Sequence, residues 1–321
     1  MSPCRHLIFP LVIYQVALGL SWHILRSRVL RWVTRADMSV GLFDAAAMFL
    51  GDLSTHLWAC PDGLRLHMIV VTGAKNVKKA LRVKRLIMKR AQPCDRLDHV
   101  CGDACIRTAR GRLGNVLKLP DAPDSLHSLQ ECTKCGSKYQ QVSIKHVYGL
   151  VQVVRQLKAN SLAIPRWLMV KDDDTYVDIP NLMEMVEKWK NGRPLWRELI
   201  SFVAEAECQG ICGGGGWLLS GALAEKLAME HGDRHLDLYL HLQMEMLDLH
   251  VPKVMAWVEN AKLIKVPDMN PFHPFDPDLC RERQNVRCFR TELCNCSRTP
   301  RPATWHLGRD VRVLERLEAA L

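Results

Sequence analysis

The sequence has none of the patterns that mark a nucleic-acid-binding protein. It has no zinc-finger spacing, no aromatic run of the RNA-recognition type and no uninterrupted basic tail. Internal repeats and low-complexity tracts are also absent. Acidic residues are the scarcer charge, since 34 Asp and Glu face 44 Lys and Arg, which gives a net charge of +10. We therefore expect no nucleic-acid partner, and the positive charge indicates a generally basic surface or sites for an anionic ligand.

The rest of the composition is ordinary for a globular protein, with an apolar fraction of 48% and a charged fraction of 24%. A length of 321 residues gives room for one large domain or two modest ones. From about residue 65 onward, strand and helix patterns alternate, which predicts an α/β sheet with helices on both faces. The predicted elements are a strand at 66–71 and helices at 77–89, 142–157, 182–189, 222–229 and 236–249, the last ended by Val251 and Pro252. We expect Pro180 in the first turn of its helix and residues 93–135 to be rich in loops.

The most informative stretch runs from Trp167 to Pro180. An apolar run predicts a buried strand, and three consecutive carboxylates, Asp172, Asp173 and Asp174, stand at its end. Adjacent carboxylates repel one another, and a divalent cation would remove that conflict. In an extended segment Asp172 and Asp174 would share one face, and two oxygen ligands suit Mn²⁺ or Mg²⁺ that also holds substrate phosphates. The alternative is a solvated acidic turn.

Five blocks of sequence occur in an order that resembles glycosyltransferase family 31, the Fringe and core-1 β1,3-galactosyltransferase type of GT-A enzyme. They are Met68 to Asn76 with Lys79, Arg82 and Lys84; Lys138 to Tyr148; Lys171 to Val177; Cys212 to Ser220 with Leu223 and Leu227; and Thr304 to His306. The third is similar to the family's DxD motif, and the fourth resembles its glycine-rich turn beside the donor sugar. The resemblance covers roughly residues 65–310.

The resemblance implies a GT-A fold, with a mixed, mostly parallel sheet flanked by helices. It also implies a Mn²⁺-dependent, inverting transfer of a hexose or N-acetylhexosamine from a UDP-sugar donor to a hydroxyl of a glycan or glycoprotein acceptor, β1,3-linked. The implied metal ligands are Asp172, Asp174 and His306, with His273 as the alternative to His306. The implied general base is Asp237, with Asp233 and Glu245 as alternatives.

The predicted donor contacts fall into three groups. Thr72, Asn76 and Arg82 follow the first strand, where turn residues of open α/β sheets can bind a base and ribose, although an ordinary turn is the plain alternative. Asp172 and Asp173 would lie beside the diphosphate. Gly214 and Gly215 would allow close backbone approach to the sugar, and Trp217 would stack on its ring or else lie in the core.

Two rival functions stay open. The region after the glycine run offers a single acid, Asp237, where the family often has paired acids, and this favours a catalytically silent relative that acts as a chaperone or glycan-binding protein. The intact carboxylate triplet favours an enzyme. A two-metal phosphoesterase would need further Asp, Glu or His clusters, which the sequence does not show clearly.

Thirteen cysteines include the close pairs Cys101 and Cys105, Cys132 and Cys135, Cys208 and Cys212, and Cys294 and Cys296. The spacing of Cys132 and Cys135 suits zinc or redox chemistry, but no second pair accompanies it at a regular distance, and the lumenal family resemblance favours disulfides.

The apolar stretch from Leu7 to Leu25 is near the ~20 residues of a membrane span, although the arginines that follow it oppose the family's usual topology. We predict a signal anchor and basic flank at 1–35, a stem at 36–64, the transferase domain at 65–310 and a tail at 311–321. The predicted location is the Golgi or endoplasmic reticulum membrane, with a lumenal catalytic domain.

Overall fold

The computed structural model describes residues 60, 63–118, 138–189, 192, 194–205, 211–240, 247–270, 303–307 and 315. All of these belong to one compact unit, Gly51–Leu321. The predicted anchor and nearly all of the predicted stem and tail lie outside the described residues, as do His273, Glu245 and the cysteines 132, 135, 208, 294 and 296. Within the described ranges no helix combines the length and apolar character needed to cross a bilayer.

The main sheet of the described residues has seven strands in the order β3-β2-β1-β4-β7-β6-β8. These strands are β1 Leu66–Val71, β2 Asp95–Cys101, β3 Val116–Lys118, β4 Trp167–Asp172, β6 Ile200–Glu205, β7 Ile211–Ser220 and β8 Lys262–Val266. Strands β3, β2, β1 and β4 pair in parallel, and so do β6 and β8, whereas β7 runs antiparallel to both of its neighbours. The predicted mixed, mostly parallel sheet is confirmed.

Helices cover both faces of this sheet, as predicted. They are α1 Val77–Met88, α2 Asp103–Ala109, α3 Lys138–Ala159, α4 Ile179–Lys188, α5 Gly221–Glu230, α6 Gly232–Leu240 and α7 Leu247–Met255. The apolar sides of α1 and α4 join the core formed by one face of β1 and β4. On the other face α3 comes so close that a Cβ on Gly149 would lie 2.7 Å from both Ile69 and Val100.

Local signals set several helix boundaries. Asp178 caps α4 by accepting a hydrogen bond from the Asn181 N–H (3.1 Å), and Pro180 lies in its first turn as predicted. Ser220 caps α5 in the same way. The predicted end of a helix at Pro252 is wrong, because α7 continues through Pro252 to Met255. As the sixth residue of α7, Pro252 removes one hydrogen bond of the helix, the one that a residue 252 N–H would donate to the carbonyl oxygen of Asp248.

The expectation of a loop-rich segment at 93–135 is also wrong, since β2, α2 and β3 lie within it. All seven residues of β2 are buried, although Asp95, Arg96, Asp98 and His99 are polar or charged. These side chains pair: Asp98 accepts from His67 Nε2 (2.8 Å) and from Arg96 Nε (2.9 Å), and Thr72 Oγ1 lies 2.8 Å from His99 Nδ1. The polar composition concealed a strand whose charged side chains are paired inside the fold.

Stability should depend on His99 at mildly acid pH. Burial, with the positive charges of Lys84 and Lys171, lowers the pKa of His99 from 6.5 to about 3. The unfolded chain therefore takes up a proton below pH 6.5 that the folded chain refuses, so stability is complete above that pH and declines as the pH falls toward 3. The slope from this residue approaches about 1.4 kcal/mol per pH unit. Urea unfolding between pH 7 and 4 should show a shallower decline in His99→Gln than in the wild type. Equal pH dependence of the two proteins would contradict the assignment.

Two disulfides are present among the described cysteines. Cys101 pairs with Cys105, one of the close pairs of the sequence. Cys60 pairs with Cys94 across 34 residues, a partnership that the sequence analysis did not anticipate. This second disulfide joins the segments that lead into β1 and β2.

A small second sheet positions one side of the site. Strand β5, Thr175–Val177, pairs antiparallel with β10, Thr304–His306, and β10 pairs in parallel with β9, Met269–Asn270. The register sets His306 opposite Thr175, the residue that follows the carboxylate triplet. A histidine distant in sequence is thereby brought to the acidic segment.

Candidate active site

The carboxylate triplet forms a tight connection between β4 and β5. Asp172 ends β4, and Asp173 and Asp174 make the turn. The side chain of Lys171 is buried beneath it, and its Nζ donates to the carbonyl oxygens of Asp172 (3.1 Å) and Thr175 (2.7 Å). The expectation of an extended segment with Asp172 and Asp174 on one face is corrected here, because a turn gives each carboxylate different neighbours.

Asp173 links the carboxyl ends of β4 and β1. Its carboxylate accepts hydrogen bonds from the Gly73 N–H and from Asn76 Nδ2, both at 3.1 Å. Burial, reinforced by the negative charge of Asp174, raises the pKa of Asp173 to about 7, although the Gly73 hydrogen bond opposes the rise. The segment after β1 is thus fastened to the acidic turn.

Asp174 lies between two cationic groups. Its Oδ1 is 3.2 Å from His306 Nε2, and its Oδ2 is 3.2 Å from Lys79 Nζ. Burial opposes ionisation, but His306 and Lys79 outweigh it and hold the pKa of Asp174 well below its usual range. Conversely, Asp174 outweighs the effect of burial on His306 and raises its pKa. Two residues predicted as metal ligands, Asp174 and His306, are therefore in contact.

Asp172 has a neighbour that the sequence analysis did not assign. His146 on α3 places Nε2 at 3.2 Å from Asp172 Oδ1, with its side chain 9% exposed. The block from Lys138 to Tyr148 was part of the family resemblance, but a helical histidine gives no sign of its partner. Only the packing of α3 beside the end of β4 reveals it.

The glycine run was predicted to be a tight turn, and this is wrong: it lies within strand β7. A Cβ on Gly214 would meet the imidazole of His306 at 2.8 Å, and Thr175 Oγ1 donates to the Gly214 carbonyl oxygen (3.0 Å). Gly216 has φ of +84°, and a Cβ there would lie 2.5 Å from Met169 Cε. These glycines permit close packing of β7 against the acidic turn and β10.

Gly214→Ala should lower the affinity for Mn²⁺ about tenfold, because the added methyl group displaces the His306 imidazole. The measurement is a Mn²⁺ titration of the full chain, followed by the electron paramagnetic resonance signal of the free ion. Gly102→Ala is the matched control, because a Cβ there meets nothing within 4 Å. Unchanged Mn²⁺ affinity in Gly214→Ala would show that His306 is not a ligand of the metal.

The remaining predicted residues lie elsewhere. Thr72 is fully buried against His99, and Trp217 is 3% exposed and donates Nε1 to Ser201 Oγ (2.6 Å), so neither side chain is open to a ligand as placed. Gly215 is buried in β7 beside Gly214. Arg82 lies partly buried on α1, one turn beyond Lys79. Asp237 is an exposed residue of α6, a helix that packs on α3 and α5.

The donor set suits a divalent cation in kind, since two carboxylates and one imidazole are ligands that Mn²⁺ accepts. Asp172, Asp174 and His306 are partly exposed, with side-chain accessibilities of 34%, 17% and 28%. As they stand, Asp174 is engaged with His306 and Lys79, and in the described part of the chain no three His, Cys, Asp or Glu side chains converge as a metal group. Asp172, Asp174 and His306 thus match the ion in ligand type, but they do not converge on one point in this arrangement.

Comparisons with known proteins give structural similarity alone. No family model matches the sequence, and no curated protein matches it either. Mouse xyloside xylosyltransferase 1 in its apo form has a TM-score of 0.39 and 13% identity over 77% of this chain and 98% of its own. A glycosyltransferase involved in the glycosylation of the major capsid of PBCV-1 gives 0.41 and 10% over 78% and 98%. Apo GlyE of Streptococcus pneumoniae TIGR4 gives 0.41 and 13% over 80% and 60%. TM-scores this low establish neither family nor activity, and membership of glycosyltransferase family 31 stays a prediction.

Proposed function

We propose that this protein is a Mn²⁺-dependent, inverting glycosyltransferase of the GT-A type. It transfers a hexose or N-acetylhexosamine from a UDP-sugar to a hydroxyl of a glycan or glycoprotein, forming a β1,3 linkage. The observation that carries the proposal is the position of the Asp172–Asp174 turn at the carboxyl ends of β1 and β4, in contact with His306.

That position is where open α/β sheets bind nucleotides. From β1 the chain proceeds through β2 to β3 on one side, and β4 then takes the other side of β1. Strand order therefore reverses between β1 and β4, and ligands bind outside the carboxyl ends of the strands at such a reversal. Gly73 and Asn76 follow β1, the carboxylates follow β4, and Asp173 joins the two segments.

The side chains at this reversal suit a diphosphate leaving group. Mn²⁺ held by Asp172, Asp174 and His306 would neutralise negative charge on the departing UDP. Lys79, already against Asp174, would add a second positive charge near the same phosphates. Asn76 and Arg82 are the candidates for the uridine. The partly exposed backbone of Gly214 is the candidate for the donor sugar, whereas Gly215 is buried.

Inversion also requires a carboxylate that takes the proton of the acceptor hydroxyl. Asp237 is the proposed base, and its exposure on α6 leaves it accessible to an acceptor. Its neighbour His235 is buried edge-on to Trp217 of β7, with ring centroids 6.3 Å apart. That contact ties α6 to the strand that carries the glycine run.

The proposed location is the lumen of the endoplasmic reticulum or Golgi, with residues 1–35 as the membrane anchor. The disulfides Cys60–Cys94 and Cys101–Cys105 support an oxidising compartment.

The test is release of UDP from a panel of UDP-sugars by the full chain in detergent, with and without Mn²⁺ and with a glycoprotein acceptor mixture. We expect release from one donor that requires Mn²⁺, with GDP-sugars as the negative control. Mn²⁺-dependent UDP binding without release from any donor would indicate a silent relative. Absence of both binding and release would overturn the donor-site assignment.

A further inference from the structure

Helix α1 and the turn before it carry a row of positive charge. Between residues 75 and 90 there are no acidic residues. At 3.6 residues per turn, six basic side chains fall within a sector of roughly 120°. These six, hereafter the basic stripe, are Lys75, Lys78, Lys79, Arg82, Arg85 and Lys89. Two further cations of this segment have other uses, since Lys84 donates to the Leu113 carbonyl oxygen and Arg90 pairs with Asp178.

The stripe is the outward side of the helix. Lys75, Lys78, Arg85 and Lys89 are exposed, whereas the opposite side buries Val77, Ala80, Val83, Leu86 and Ile87 in the core. Within the described ranges no carboxylate forms an ion pair with any of these four exposed cations. Like charges so close together repel one another, and an anionic ligand would relieve that repulsion.

The far half of the stripe lines an open depression in the surface. Arg82, Arg85, Leu86 and Lys89 line a space of about 290 Å³. Among the described residues that line it, all but Leu86 are cationic. Such a lining suits a sulfate or carboxylate group carried on a sugar ring, because guanidinium groups bind planar or tetrahedral oxyanions in a bidentate manner.

The near end of the stripe meets the candidate active site. Lys79 lies against Asp174, and Asn76, between Lys75 and Lys79, donates to Asp173. From there the stripe extends about 20 Å along α1. A linear polyanion bound along it would therefore have one end at the acidic turn.

We propose that the four exposed cations of the basic stripe, Lys75, Lys78, Arg85 and Lys89, bind the acceptor, and that the acceptor is a glycan chain with repeated sulfate or carboxylate groups. The assignment as acceptor rests on the proposed transferase function, whereas the affinity for a polyanion does not. A narrow row of cations that leads from an open depression to the reaction site matches a linear chain better than a flat membrane surface.

The experiment measures equilibrium binding of the full chain to heparin, with neutral dextran as the negative probe, over a range of salt concentrations. The test variant Lys78→Gln/Arg85→Gln/Lys89→Gln removes three exposed stripe charges and leaves Lys79 and Arg82 in place. The control Lys188→Gln/Lys226→Gln/Lys265→Gln removes three charges from α4, α5 and β8. We expect the stripe variant to bind heparin at least tenfold more weakly and its slope of log affinity against log salt to fall by about two, as in polyelectrolyte binding. The control should bind nearly as tightly as the wild type.

Two readouts separate the possible failures. Mn²⁺-dependent UDP release without acceptor should be equal in the wild type and the stripe variant, whereas transfer to a desulfated heparin series should fall with the sulfate content. If both variants lost heparin affinity equally, the stripe would not be a binding site, and the net charge of the protein alone would explain heparin binding. Selective loss of binding to vesicles with 30% phosphatidylserine, with heparin binding intact, would overturn the glycan in favour of a membrane. Absence of UDP release in the wild type would instead reject the transferase function.

Discussion

Asp174→Asn is expected to lower Mn²⁺-dependent UDP release about 10²–10³-fold, the usual cost of losing one electrostatic contact to a developing charge. Asp174 is ionised at neutral pH because His306 and Lys79 hold its pKa low. Asparagine keeps the shape of the side chain but removes the charge that would hold Mn²⁺. It also leaves the two cations without their shared anion, so Mn²⁺ should meet repulsion there.

Initial rates of UDP release over a Mn²⁺ titration would check this result, with unfolding by urea as the test that the variant is folded. Asp103→Asn is the matched control, since Asp103 is an acid of α2 that is 48% exposed and paired with Lys118. We expect the control to retain wild-type activity and Mn²⁺ dependence. A fully active Asp174→Asn would mean that the triplet is a solvated acidic turn after all.

The sequence predicted best those elements whose pattern is purely apolar or purely helical. Strand β1 has the predicted bounds, and α1 ends one residue before its predicted end. Both can be recognised from their own sequence pattern, because β1 is a run buried on both faces and α1 has a clear apolar side. The position of the acidic triplet at a strand end was also predicted correctly, because it follows an apolar run.

Strand β2 could not be predicted in the same way. Its polar residues are tolerated in the interior because Asp98 pairs with His67 of β1 and His99 with Thr72 just after β1. Both of these partners are about 30 residues away in sequence. The prediction of a tight turn at the glycine run was wrong for a related reason. Four glycines indicate a turn, but here a Cβ on Gly214 or Gly216 would collide with His306 or Met169 from neighbouring strands. Such constraints exist only once the sheet has formed.

The contacts in the candidate site were equally hard to predict from the sequence. Asp174 and His306 were predicted together because the family resemblance supplied the pairing, and no property of either residue did. His146 and Lys171 were missed because their contacts depend on the packing of α3 and on the geometry of the turn. Thr72 and Trp217 have residue types that suit ligand contact, yet their neighbours bury them.

Asp98→Asn is expected to destabilise the fold by about 3–5 kcal/mol, the range found when one member of a buried ion pair is removed. Asp98 is fully buried and accepts from both His67 and Arg96, and Arg96 is only 2% exposed. Burial opposes its ionisation, but His67 and Arg96 outweigh it and lower the pKa of Asp98 to about 2. Its contribution to stability is therefore complete above pH 3.8 and is lost as the pH falls toward 2.

Urea unfolding at pH 7 measures the loss, and a double variant tests its cause. If the cost comes from leaving a buried guanidinium without its carboxylate, Arg96→Met combined with Asp98→Leu should be markedly more stable than Asp98→Asn alone, because that guanidinium is absent. Asp103→Asn, at an exposed pair with Lys118, should change the free energy of unfolding by less than about 1 kcal/mol. A double variant no more stable than the single one would instead assign the cost to packing. The buried charged side chains of β2 would then stabilise the sheet through packing rather than through charge pairing. The polar sequence pattern that concealed this strand would likewise reflect packing.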